Sequence, residues 1–403
     1  MSAITRIDTY ACRVPLDHPI KFKWNTITHR DYTVVRVETA DGLTGASIGL
    51  SRTSPIDVAI NDLIAPVALG TDSLEIGAFH ESLRQHTASS DQYGILAPAR
   101  SLLDIALWDI RGKALEAPVW KLLGGNSQPA EVLLVEGYEL PGETDEGFAR
   151  RLAERASEGY VAIKLEAAGY EDPQILRRRL QLTREYAGED LKLIVDVNGA
   201  WRSVREAAET IDAISDTQLE WVEDPFPRHR IADVAKLREL VDVPLSAGDD
   251  ITDPRVLMDL VLTDAVDVLR VDVTTLGGFA PTIDVIGVAR QFEVPVSTHA
   301  HPILHQHLSF AWPEVRYVEA FPDDRPFEPS YKLGQRSTFS RIENGRLPAP
   351  LEPGPRPGTR YEGRRIDGPT ASERHVLKIL LPASKAKPRW LSPVSPKIRC
   401  ERP

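Results

Sequence analysis

Polar and apolar residues alternate through Tyr32-Thr-Val-Val-Arg-Val-Glu38, and Ala40-Asp-Gly-Leu-Thr-Gly45 follows with turn chemistry. A β-hairpin or meander is expected there. From Ala99 to Leu115 the apolar positions Leu102, Leu103, Ile105, Ala106, Trp108 and Ile110 recur at helical spacing. Lys121-Leu-Leu-Gly-Gly125 closes that segment with glycine where a helix stop needs it. Residues 1–125 therefore read as an α+β unit. Beyond Gly125 the pattern repeats. Short β-like runs recur at Val132–Tyr138, Val161–Glu166, Leu191–Asn198, Leu219–Pro225, Val243–Asp250, Val266–Val273, Val294–Ala300 and Arg316–Phe321. Helical periodicity fills most gaps, as in Pro173–Tyr186, Val204–Ile214 and Ala280–Phe292. Eight runs spaced 20 to 30 residues apart predict a parallel TIM-type β/α barrel over residues 126–325. An open doubly wound sheet gives the same alternation, but no Gly-x-Gly-x-x-Gly loop follows any strand.

The remaining chain is different in character. Residues 326–366 are rich in Pro, Gly and charge, with one β-like stretch near Leu333–Ile342, and residues 367–403 read as a basic, poorly ordered tail. The 403 residues carry a net charge of −11, with the tail from Pro369 onward at +6 and the body at −17. Such an acidic body argues against nucleic acid as a partner, since phosphate contacts need clustered Lys and Arg. Two cysteines, Cys12 and Cys400, make no disulfide framework and have no metal-ligand spacing. No apolar run approaches membrane-spanning length, and no basic segment followed by an apolar one opens the chain. A soluble cytoplasmic protein is expected.

In a β/α barrel the chemistry sits at the C-terminal strand ends. The second predicted barrel strand ends with Lys164 and Glu166, the third with Asp196 and Asn198, the fourth with Glu223 and the fifth with Asp249 and Asp250. The sixth carries Asp272, the seventh ends with His299 and the eighth holds Glu319. Asp196, Glu223 and Asp249 are separated by 27 and 26 residues, one β/α unit each time. Three anions brought together in this way repel unless a cation sits among them, and all-oxygen ligands suit a hard divalent ion such as Mg²⁺. Asp272 beside His299 fixes the imidazole tautomer and keeps it basic, as a general acid/base requires. His301, His305 and His307 invite a zinc reading, but the later two fall in the following loop and helix.

Asp196-x-Asn198, Trp221-Val-Glu-Asp-Pro225, Ser246-Ala-Gly-Asp249, Val271-Asp-Val-Thr-Thr-Leu-Gly-Gly278, Val296-Ser-Thr-His299 and Tyr317-Val-Glu319 resemble the strand-end motifs of the enolase superfamily, in its mandelate racemase branch. Ala106-Leu-Trp-Asp-Ile-Arg-Gly-Lys113 resembles the helix leading into that family's barrel. The resemblance implies an N-terminal α+β capping domain, a modified barrel, and residues 326–366 packing back on the cap. It implies Mg²⁺ on Asp196, Glu223 and Asp249, with His299 as acid/base oriented by Asp272. It also implies that Glu319 hydrogen-bonds the substrate carboxylate as it becomes an enediolate. By the same likeness Asn198, Lys21, Trp24 and Arg52 meet the substrate.

One position departs from the pattern. Relatives carry Lys-x-Lys on the second strand, where this chain reads Lys164-Leu-Glu166. Two lysines sharing a face depress each other's pKa, whereas Lys164 beside Glu166 is expected to stay cationic. Glu166 is a weak base unless desolvation raises its pKa considerably. Racemisation needs a base on each face of the substrate, so the departure points to dehydration. The expected activity is a Mg²⁺-dependent lyase converting an aldonate or aldarate to a 2-keto-3-deoxy acid. An epimerase or racemase, or an impaired relative that binds an anionic ligand, are the alternatives. Partners are then a small-molecule carboxylate and further copies of the chain in a homo-oligomer, with neither membrane nor nucleic acid.

Overall fold

The computed structural model describes residues 2–90, 92–170, 172–323, 327–333 and 341–354. The expected basic tail, and most of the β-like stretch at Leu333–Ile342, lie outside the described residues. An antiparallel sheet comes first, ordered β1 (Ile4–Lys21), β2 (Thr26–Thr39), β3 (Thr44–Leu50). The expected hairpin is β2–β3. Strand β1 is not announced by the sequence pattern, because Pro15 and Pro19 interrupt its alternation and its register shifts between Pro15 and Ile20.

The eight predicted runs become β4 (Ala130–Val135), β5 (Ala162–Glu166), β6 (Lys192–Asp196), β7 (Leu219–Glu223), β8 (Leu245–Ala247), β9 (Val268–Val271), β10 (Val296–Thr298) and β11 (Val315–Ala320). Neighbours pair in parallel, and β11 pairs back onto β4, so the sheet closes. A short β12 (Arg346–Leu347) lies antiparallel to the start of β4. Barrel helices follow β4 to β10, from Asp145–Ser157 to Pro302–Ala311, but among the described residues none follows β11. The barrel is modified in that respect. Local chemistry fixes where these helices begin. Asp172 and Asp253 cap helices that carry proline in their first turn, and Ser203 Oγ accepts the Glu206 N–H at 3.1 Å.

Strand parity then stacks the interior in layers. Leu133, Ala162, Ile194, Trp221, Val268 and Tyr317 form an apolar cluster on the inward face. Two residues further along each strand stand Val135, Lys164, Asp196, Glu223, Arg270 and Glu319, all buried. The apolar floor thus sets the register at which the ionisable layer begins.

Cap and barrel meet through helix Leu96–Ala114, whose buried Asp104 Oδ1 accepts the Phe279 N–H at 2.7 Å. Trp108 packs edge-on against Phe279 with ring centroids 5.8 Å apart. Residues 327–333 return to the cap: Leu333 joins Cys12, Val14, Tyr32 and Val34, while Tyr32 donates a hydrogen bond to Glu328. Among the described residues no helix is long and apolar enough to cross a membrane.

Gly278, at φ +103°, lets the loop after β9 approach the cap; a Cβ there would lie 2.1 Å from Asp104 Oδ1. Gly278→Ala is therefore expected to lower stability by about 2 kcal/mol or more, through strained backbone and the displaced Asp104. Urea unfolding followed by circular dichroism checks this, and an unchanged midpoint would remove the docking argument.

Candidate active site

The strand ends of β6, β7, β8 and β10 turn sharply through left-handed residues, Asn198 (φ 44°), Asp224 (φ 45°), Asp250 (φ 60°), Ala300 (φ 49°) and His301 (φ 42°). Asn and Asp tolerate this region better than other side-chain-bearing residues, though each such residue still costs about 1 kcal/mol. These turns shorten the strands relative to the apolar runs in the sequence. They bring Asp196, Glu223 and Asp249 together, each offering a carboxylate oxygen within 4.8 Å of the others. The donor set is three buried carboxyl groups, all-oxygen ligands that fit a hard divalent cation. Among the described residues no other group of His, Cys, Asp and Glu meets that geometry.

Two buried cations hold this cluster together. Lys164 Nζ lies 2.6 Å from Glu223 Oε1, 2.7 Å from Glu319 Oε2 and 3.2 Å from Asp196 Oδ2. Burial alone would lower the lysine pKa, but the charges of Glu223 and Glu319 outweigh it and raise it well above the ordinary value. Lys164 is thus cationic, as expected, but through Glu223 and Glu319 rather than Glu166. Arg270, wholly buried, is the second cation. Sequence reading missed it. The available signal was a lone charge in the apolar run Val268-Leu-Arg-Val271, on the same face as Asp272.

Both oxygens of Glu319 are acceptors, Oε1 from the Ala300 N–H at 3.0 Å and Oε2 from Lys164 and Arg270. Burial would raise this carboxyl, yet the two cations bring it down to about 2. Lys164 and Arg270 together hold Glu319 at the cavity wall.

His299 Nδ1 is 2.9 Å from Asp272 Oδ2, and its Nε2 lies 3.7 Å from Asp249 Oδ2. Burial would lower the imidazole, but the Asp249 charge and the Asp272 hydrogen bond prevail and raise it to about 9. Asp272 Oδ1 is fixed in turn by the Thr274 N–H at 2.7 Å. Two of the three histidines considered for zinc have other partners. His305 bridges the Val273 N–H at 3.0 Å and the Ala300 carbonyl at 2.7 Å, and His307 Nδ1 accepts from the Trp120 N–H at 3.3 Å. His301 is buried with neither ring nitrogen hydrogen-bonded.

A cavity of about 1030 Å³ opens over these groups, lined by Lys164, Glu166, Asp196, Asn198, Asp249, His299 and Glu319 below and by Trp24 and Arg52 from the cap. Glu223 and Asp272 are buried next to this wall, while Lys21 is exposed at the end of β1 and does not line it; Lys23 does. Arg30 and Arg228 are further rim cations that the sequence reading did not single out. Arg52 and Arg228 both pair with Asp250. Glu166 is buried, with Oε1 accepting the Ala168 N–H at 2.9 Å. Desolvation, reinforced by Asp196, pushes its carboxyl well above the usual carboxylate range.

Comparison with known proteins agrees with this geometry. Residues 5–124 match the N-terminal domain of the mandelate racemase / muconate lactonizing enzyme family, and residues 147–355 match the enolase C-terminal domain-like family. An L-talarate/galactarate dehydratase of Salmonella typhimurium is 28% identical over 72% of this chain and 72% of its own. An N-succinyl-L-Arg/Lys racemase of Bacillus cereus is 24% identical over 70% of this chain and 75% of its own. The crystal structure of L-talarate dehydratase from Polaromonas sp. JS666, complexed with Mg and L-glucarate, superposes with a TM-score of 0.79 at 25% identity, covering 88% of this chain and 94% of that one.

Titration calorimetry of the metal-stripped protein with MgCl₂ is expected to show one site per chain. Asp249→Asn and Glu223→Gln should each weaken it by about tenfold or more, since even an outer partner of a metal ligand carries that much. Unchanged affinity in both would remove the triad as the metal site.

Proposed function

Because the chain belongs to the mandelate racemase / muconate lactonizing enzyme family of the enolase superfamily, we propose that it is an acid-sugar dehydratase. The reaction takes an aldonate or aldarate to a 2-keto-3-deoxy acid. The observation that supports this reading best is asymmetry: one strongly oriented base, His299 on Asp272, and a carboxyl rather than a second amine at the end of β5.

The proton α to a carboxylate is weakly acidic, so its removal needs positive charge where the enediolate develops. Asp196, Glu223 and Asp249 would hold Mg²⁺, which would supply that charge. Lys164 adds an ammonium donor held by Glu223 and Glu319. In its neutral form, the minor one at neutral pH given its raised pKa, His299 takes the α-proton at Nε2, because Asp272 holds Nδ1. The resulting imidazolium then returns a proton to the β-hydroxyl, the carbon–oxygen bond breaks, water leaves, and the enol product tautomerises to the keto acid. Asn198, Trp24 and Arg52 line the cavity where the polyhydroxy chain would lie, with Lys23 in place of Lys21. The working unit is a cap, residues 1–125, closing a barrel, residues 126–325, in a cytoplasmic homo-oligomer.

A second reading, epimerisation, has one specific observation in its favour. Glu166 is buried and its carboxyl is raised, which brings it nearer to the basicity a second-face base requires. Its strand, β5, lies three strands from β10 around the barrel, across β11 and β4.

The test is a library of aldonates and aldarates incubated with protein and Mg²⁺, scored for semicarbazide-reactive keto acid. At least one substrate should turn over, and His299→Asn should reduce that turnover by about 100-fold or more. No keto acid across the library contradicts the dehydratase. Glu166→Gln separates the readings: dehydration should survive it within about tenfold, whereas epimerisation should fall about 100-fold or more.

A further inference from the structure

The floor of the barrel packs without charge, and burying a guanidinium is costly unless it is fully paired. Arg270 stands one layer above that floor, completely buried, with each arm of its fork engaged. Nε lies 3.0 Å from Asp249 Oδ1 and 3.3 Å from Glu223 Oε2, Nη2 lies 2.5 Å from Glu319 Oε2, and Nη1 donates to Ser297 Oγ at 2.7 Å. One side chain thus touches two members of the carboxylate triad and the carboxylate that holds Lys164. Just past β8, Gly248 at φ +141° lies so close to β9 that a Cβ there would be 2.2 Å from the Arg270 carbonyl oxygen.

We propose that Arg270 is the positioning residue of the metal centre, fixing the carboxylates of Asp249 and Glu223 in the orientation that receives the divalent ion. The planar fork holds one oxygen of each carboxylate and leaves Glu223 Oε1 to Lys164 and Asp249 Oδ2 toward His299. The inference rests on the metal assignment above and adds a residue that is not itself a ligand. Strand β9 and the residue that follows it then supply both orienting groups of the site, Arg270 for the triad and, two residues on, Asp272 for His299.

The test is Mg²⁺ affinity by titration calorimetry on the full chain, a readout independent of any substrate. Arg270→Gln is expected to weaken Mg²⁺ by about 10- to 100-fold. Because this variant leaves buried carboxylates unpaired and could fail to fold, Arg270→Lys and Ser297→Ala are measured beside it. Lys keeps the charge but lacks the fork, and should also bind Mg²⁺ about tenfold or more weakly. Ser297→Ala frees one arm of the guanidinium and should give a smaller loss in the same direction. Far-ultraviolet circular dichroism confirms the fold of each variant. Folded Arg270→Lys and Ser297→Ala that bind Mg²⁺ as tightly as the parent overturn the inference while leaving the metal centre intact. A parent protein that takes up no Mg²⁺ overturns both.

Discussion

Four buried carboxyl groups, Asp196, Glu223, Asp249 and Glu319, gather around Lys164 and Arg270, the fixed cations among them. That imbalance governs the rest of the molecule. An unpaired buried charge costs about 3–5 kcal/mol, so each group must be held by a neighbour whose own place is secured. Closure of the barrel brings the strands together, the apolar floor sets the height of the layer, and left-handed turns hold the ends. A divalent ion offsets part of the surplus, which makes the deficit of positive charge the functional feature.

Much of this was legible in the sequence because two periodicities coincide. Strand runs recurring once per β/α unit give the barrel, and carboxylates at the same phase of successive runs give the triad. His299 and Asp272 were legible for the same reason. Other features depend on tertiary contact. Arg270 looks like an interruption in an apolar strand until the neighbouring strands surround it with carboxylates. Lys21 and Lys23 differ only in which side of the turn after β1 they occupy, and Phe22 donating its N–H to the Asn25 carbonyl at 2.8 Å fixes that turn. Strand β1 was hidden by its prolines.

The departure at Glu166 has a sharper meaning in three dimensions. A carboxyl is a poor base in water, and on that ground the sequence pointed away from two-base chemistry. Burial beside Asp196 moves the group in the direction that chemistry would need. The same constraint that assembles the metal site therefore also retunes Glu166. Lys164 stays outside this adjustment because Glu223 and Glu319 fix its charge.

Once the α-proton has left, the enediolate either expels its β-hydroxyl or takes a proton back at C2. Proton NMR of an accepted acid sugar, incubated with protein and Mg²⁺ in D₂O, reads this choice directly. Dehydration predicts loss of the C2 proton signal together with a 3-deoxy-2-keto product whose C3 carries solvent deuterium. Deuterium at C2 of an intact polyhydroxy acid, with no loss of hydroxyl, would contradict it.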